Sequence, residues 1–111
     1  IENVDISLIS GSLNFKLIED DNFEYIENVL KKAFVNSEYG VAANFITDRT
    51  DFKDELIFYA NPEKILEICY KLTKRFLIDH SYFPFEYSIA LFKKDSYNKK
   101  MPTFDDPRLK I

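Results

Sequence analysis

At 111 residues the chain is long enough for one domain with its own apolar core, needing neither disulfides nor metal to hold it. Its single cysteine excludes an internal disulfide and fits a reducing compartment, and no run approaches the roughly 20 apolar residues of a membrane span, so a cytoplasmic protein without a membrane partner is expected. The net charge of −4 is unevenly spread, because residues 1–63 hold thirteen Asp and Glu against five Lys and Arg while residues 64–111 hold six against ten; such asymmetry bears on partners rather than on fold.

Residues 4–9 alternate Val4, Ile6 and Leu8 with Asp5 and Ser7, and residues 13–18 alternate Leu13, Phe15 and Leu17 with Asn14 and Lys16. Period two predicts strands, and Ser10-Gly11-Ser12 between them predicts a hairpin turn. Asp21-Asn22-Phe23-Glu24 is a helix start, with a carboxylate to accept the first free N–H groups. Phe23, Ile26, Leu30, Ala33 and Phe34 keep helical spacing and predict a helix over about 22–36. Tyr39-Gly40 predicts a bend.

Residues 41–47 and 55–60, rich in apolar and β-branched types, predict two further strands, joined by a polar hairpin loop from Asp48 to Asp54. Asn61-Pro62-Glu63 opens a second helix, predicted over about 62–79 with Ile65, Cys69, Leu72 and Phe76 on its core stripe. After Pro84, alternation of Phe85, Tyr87, Ile89 and Leu91 predicts a last strand over 85–92. The whole reads as α+β: an antiparallel-dominated sheet of about five strands in the order ββαββαβ, with two helices packed on one face. Residues 1–94 form this single domain, and 95–111, charged and aperiodic, form a loosely docked or flexible tail.

Chemistry is not declared by any signature. Cys69 lies on an apolar stripe, where a thiol acts as a small hydrophobe, and His80 is placed at the end of the second helix, where imidazolium suits the dipole. Asp48, Asp51, Asp54 and Glu55 are four carboxylates in eight residues, but an EF-hand loop begun at Asp48 needs glycine where Lys53 stands and glutamate where Tyr59 stands. No metal, cofactor or catalytic residue is therefore expected. Lys93, Lys94, Lys99 and Lys100 around Tyr97 resemble a nucleic-acid grip, yet the acidic balance opposes a polyanion at long range, so no direct nucleic-acid binding is expected. Glu19, Asp20, Asp21, Glu24 and Glu27 are more acids than helix capping requires, and like charges three or four positions apart repel. Acids retained against that repulsion point to steering of a basic partner.

Tyr39-Gly40 after a helix, Phe45 in a strand, Asp51-Phe52 in an acidic loop, the run Leu56-Ile57-Phe58-Tyr59, and a helix closing with Phe76-Leu77-Ile78-Asp79-His80 resemble, over about residues 34–80, the layout of bacterial immunity proteins of contact-dependent growth inhibition systems. The resemblance implies a small, non-catalytic, cytoplasmic protein that binds and neutralises a cognate toxin domain, often a basic nuclease. The expected interface is acidic, Glu19, Asp20, Asp21, Glu24 and Glu27 together with Asp48, Asp51, Asp54 and Glu55, with Tyr39, Phe52 and Tyr59 as aromatic anchors; the protein itself is expected to be a monomer or weak dimer. The alternative is a small structural or adaptor subunit of phage or secretion machinery whose aromatic surplus forms an oligomer interface.

Overall fold

The computed structural model describes residues 4–18 and 21–93. The tail expected over 95–111, Glu19 and Asp20 lie outside the described residues. The elements are β1 (Val4–Ile9), α1 (Asn22–Val35), β2 (Ser37–Thr47), β3 (Tyr59–Ala60), α2 (Pro62–Leu72), β4 (Phe76–Asp79) and β5 (Glu86–Phe92). The α+β class, the two helices and the five-stranded sheet, antiparallel over most of its paired residues, follow the sequence reading, and the order is close to that expected: one strand is absent before α1 and one is gained after α2.

The sheet runs β1-β2-β5-β4, with β3 also on β2. β5 is antiparallel to both β2 and β4, whereas β1 and β3 are parallel to β2. Hence β1 to β4 all point one way and β5 alone runs against them, which makes both of its pairings antiparallel because it sits between two neighbours. Val41, Ala43 and Phe45 of β2 lie opposite Leu91, Ile89 and Tyr87 of β5. These six side chains are buried with Ile26, Leu30 and Ala33 of α1 and Ile65, Ile68 and Cys69 of α2 in one core. Both helices therefore cover a single face, as period two on the strands and the apolar stripes on the helices require. Tyr87, fully buried, donates its hydroxyl to the Ala60 carbonyl at 2.9 Å, so its one polar atom is satisfied.

Four local expectations are corrected. Residues 13–18 do not form a hairpin with 4–9. Gly11, at φ +81°, turns the chain, Leu13 and Asn14 are both buried, and two consecutive buried side chains break the alternation. The segment instead bonds residues 56–58, through Lys16 N–H to the Leu56 carbonyl and Phe58 N–H to the Asn14 carbonyl. The strand expected over 55–60 shrinks to Tyr59–Ala60, and it joins β2 in parallel rather than through a hairpin. Tyr39-Gly40 is no bend but part of β2, where the register slips against β1. Gly40 is at φ +154°, and a Cβ there would meet the Leu91 carbonyl oxygen at 2.0 Å, so glycine is required.

The second helix ends at Leu72 and not at 79. Thr73 is extended (φ −158°, ψ 159°); its hydroxyl donates to the Phe92 carbonyl at 2.8 Å and accepts from Arg75 N–H at 3.1 Å. Phe76-Leu77-Ile78 then pairs with β5. An apolar run of this length fits helix or strand equally by periodicity, and pairing decided it. His80 consequently closes a strand, with Nε2 3.2 Å from the Pro84 carbonyl.

Candidate functional site

α1 carries the chain back from the finish of β1 to the start of β2, and α2 from the finish of β3 to the start of β4. Because β1, β3 and β4 share a direction, both helices begin at the same end of the molecule, the end where β1, β2 and β3 finish. Two positive helix termini therefore lie together, which favours carboxylates nearby.

The carboxylates are there. Asp21 caps α1, accepting from Phe23 N–H at 2.8 Å and Glu24 N–H at 3.4 Å. Asn61 caps α2 through Lys64 N–H at 3.1 Å, and its side-chain amide donates to Asp48 Oδ2 at 3.0 Å. That bond ties the loop after β2 to the first turn of α2. On the other flank of the same turn, Lys64 Nζ lies 5.2 Å over the Phe23 ring, and Phe23 packs edge-on against Phe58 at 5.0 Å. The start of α1 and the loop of residues 48–55 thus flank the start of α2. The structure brings Asp21, Glu24, Asp48, Asp51, Asp54 and Glu55 to one end, joined by Glu63, which opens α2.

Counter-charges at this end are Lys16, whose N–H bonds the Leu56 carbonyl, with Arg49, Lys53 and Lys64. Arg49 and Glu63 meet at 3.3 Å with both side chains about three-quarters exposed, a geometry worth at most about 1 kcal/mol. Seven carboxylates against four cations leave a surplus that two helix termini, each roughly +0.5 of a charge, do not cancel. Asp48 Oδ1 is shielded from solvent and accepts no bond among the described residues. Its charge, behind burial, helps hold the Tyr87 phenol above the usual tyrosine range.

Glu27 sits farther along α1 and pairs with Lys71 of α2 at 3.1 Å. Together with Asp21, Glu24 and Lys64 it borders a shallow groove between the helices. The acidic start of α1 is therefore interleaved with cations in space, although none intervenes in sequence. Lys64 and Lys71 come from a helix some forty residues away, so sequence proximity could not reveal them.

Of the aromatic candidates, Phe52 is 74 % exposed on the acidic loop. Tyr59 is half-buried: its hydroxyl accepts from Asp54 N–H at 2.7 Å, and Lys53 Nζ stands 5.6 Å over its ring, so it holds the loop in shape. Tyr39 lies at the opposite end, where its carbonyl accepts from Lys93 N–H. Leu56, 73 % exposed beside Glu55, belongs with the acidic end and was masked in the sequence by its place in an apolar run. Glu63 was read only as a helix-start residue, and nothing local in the sequence placed it beside Asp48.

The opposite end gathers the helix C-termini with Lys31, Lys32, Lys74, Arg75 and Lys93. Lys93 Nζ donates to the Val35 carbonyl at 3.2 Å, and Arg75 donates to the Lys93 carbonyl at 2.9 Å. Lys93 thereby satisfies the last carbonyl of α1, and cations at this end suit the negative helix termini.

Cys69 is fully buried, and desolvation pushes its thiol up to about 12, which withholds the thiolate a nucleophile needs. Among the described residues no cluster of three or more His, Cys, Asp or Glu is arranged to hold a metal ion, and no helix is long and apolar enough to cross a membrane. No protein-family model matches the chain, and neither a curated protein nor a solved structure shows significant similarity to it.

Proposed function

We propose that the protein is a non-catalytic immunity or antitoxin-type inhibitor that binds a cationic protein toxin, a basic nuclease domain, through its acidic end. The observation that carries this reading is the convergence of the α1 start and the Asp48–Glu55 loop on either side of the first turn of α2. Carboxylates gathered at one end of the molecule present to a nuclease cleft what its phosphodiester substrate presents, negative charge at spaced positions. Phe52 and Leu56, both well exposed on the segment that carries the acidic loop, give it apolar area to desolvate on contact.

The test is the association rate with the toxin domain encoded beside this gene, measured while salt is raised. Steering by the acidic end requires the rate to fall with ionic strength, and Asp21→Lys with Glu24→Lys to slow it at low salt. A rate indifferent to both would remove the acidic end from the interface.

The adaptor reading draws on a different region. The sheet face away from the helices shows Ile6, Leu8 and Leu77 well exposed, and exposed apolar surface of this kind marks an interaction site. A large, stable homo-oligomer in sedimentation would favour it over the inhibitor.

A further inference from the structure

The two outer strands of the sheet are guarded very differently. β4 has four residues, ends in Asp79 and follows Lys74-Arg75, and short length and charge are what keep an edge from pairing. β1 has six residues, Val-Asp-Ile-Ser-Leu-Ile, with a single charge and no proline or lysine. Its one described pairing is with β2, so its outer edge carries no strand among the described residues. Ile6 is 57 % and Leu8 78 % exposed.

The backbone of this edge has a definite parity. Val4 N–H points inward, to the Asn36 carbonyl at 2.9 Å, and the register slip opposite it is on β2, which uses three residues where β1 uses two. Alternation then turns the N–H and C=O groups of Asp5 and Ser7 outward. Side chains divide likewise: Ser7 and Ile9 lie opposite Val41 and Ala43 on the helix face, and Ile6 and Leu8 opposite Gly40 and Ala42 on the open face.

We propose that β1 pairs antiparallel with β1 of a second copy about a two-fold axis at Ile6, joining two sheets edge to edge. A two-fold axis makes any strand paired with itself antiparallel, and side chains that face each other must lie on the same face of the sheet. With the axis at Ile6, Val4 faces Leu8 of the second copy, Ile6 faces Ile6, and Asp5 faces Ser7. The open face then gains an unbroken apolar ladder, and the outward N–H and C=O groups of Asp5 and Ser7 bond each other. Centring on Ser7 instead would set Asp5 against Ile9.

Charge supports the same register. A groove of about 470 Å³ runs along this edge between Ser7–Ile9 and the α1 residues Val29 and Lys32. Asp5 of the second copy, opposite Ser7, enters its mouth and brings a carboxylate to Lys32. A single six-residue strand buries less than the roughly 1,000 Å² typical of stable interfaces, so the pairing is a concentration-dependent one. It involves neither the acidic end nor its proposed partner.

Sedimentation over a wide concentration range tests this on the full chain, with Asp5→Pro, Ile6→Cys and Leu8→Cys variants. Asp5→Pro removes an outward N–H and leaves the bonding to β2, so self-association should fall at least about tenfold with the circular dichroism unchanged. Under mild oxidation Ile6→Cys should form a disulfide-linked dimer, because directly opposed non-hydrogen-bonded positions lie within disulfide reach. Leu8→Cys should not, since the two Leu8 positions are separated by four residues along the strand. A monomer at every concentration, or Leu8→Cys linking more readily than Ile6→Cys, would overturn the pairing. Should Asp5→Pro fail to fold, the ratio of the two cysteine variants still decides.

Discussion

The two ends of the helix layer are built from the same parts and carry opposite charge. At one end the first turns of α1 and α2 meet Asp21, Asp48 and Glu63; at the other their last turns meet Lys32, Lys74 and Lys93. Each end opposes its own helix dipoles, but only partly for the same reason. At the cationic end Lys93 and Arg75 are spent on backbone: Lys93 donates to the Val35 carbonyl and its own carbonyl accepts from Arg75. At the acidic end Asp21 caps a helix, while Asp51, Glu55 and the exposed Phe52 serve no such purpose in the described structure. The lesson is that charge beyond what capping needs is the better guide to a surface with a partner than charge itself.

One core holds both ends. Phe45 is fully buried against Tyr87, with ring centroids 5.7 Å apart, so Phe45→Ala should cost about 3–5 kcal/mol. Urea unfolding by fluorescence and by far-ultraviolet dichroism should shift together. Separate transitions for the two probes would show that the ends are independent units.

Cys69, between the ends, gives a pH handle on the same core. Its thiol is raised from 9.0 to about 12 in the folded chain, so the unfolded chain ionises first. The protonated thiol therefore contributes stability in full below about pH 9 and progressively less as pH rises toward 12. Stability measured between these values should decline less steeply in Cys69→Ala, and iodoacetamide at pH 8 should leave the folded thiol unmodified.

Smaller effects separate the two ends directly. Asp21→Lys with Glu24→Lys should slow association with the cationic partner about tenfold at low salt, whereas Lys74→Glu at the far end should leave the rate unchanged. Asp21→Ala should also cost about 1 kcal/mol of stability as a lost cap. The Glu27–Lys71 pair, exposed and spanning the two helices, should show a coupling below about 1 kcal/mol in a double-mutant cycle, declining with salt.

Much of this was legible from local pattern. α1 begins at its Asp21 cap and α2 at Asn61-Pro62, and the alternation Tyr87, Ile89, Leu91 faces the core, because caps and periodicity act through neighbours within a few residues. What failed shared one cause. The run 13–18 alternates like a strand, yet β2 already has β1, β3 and β5 beside it, and 13–18 is left to bond 56–58. Phe76-Leu77-Ile78 fits a helix stripe until β5 offers it an edge. Tyr39 and Phe52 both have the rigid ring that suits an anchor, although the length of β2 separates them to opposite ends.

By itself the sequence determined the α+β class, the start of each helix, the apolar stripes and the amount of acid near Asp21 and Asp48. These depend on propensity, capping and burial, which are short-range. Only the tertiary structure decided strand neighbours, the end of α2, and the meeting of the two acidic segments across the first turn of α2. Such choices rest on contacts between residues tens of positions apart, where free edges and parallel crossovers settle what local pattern leaves open.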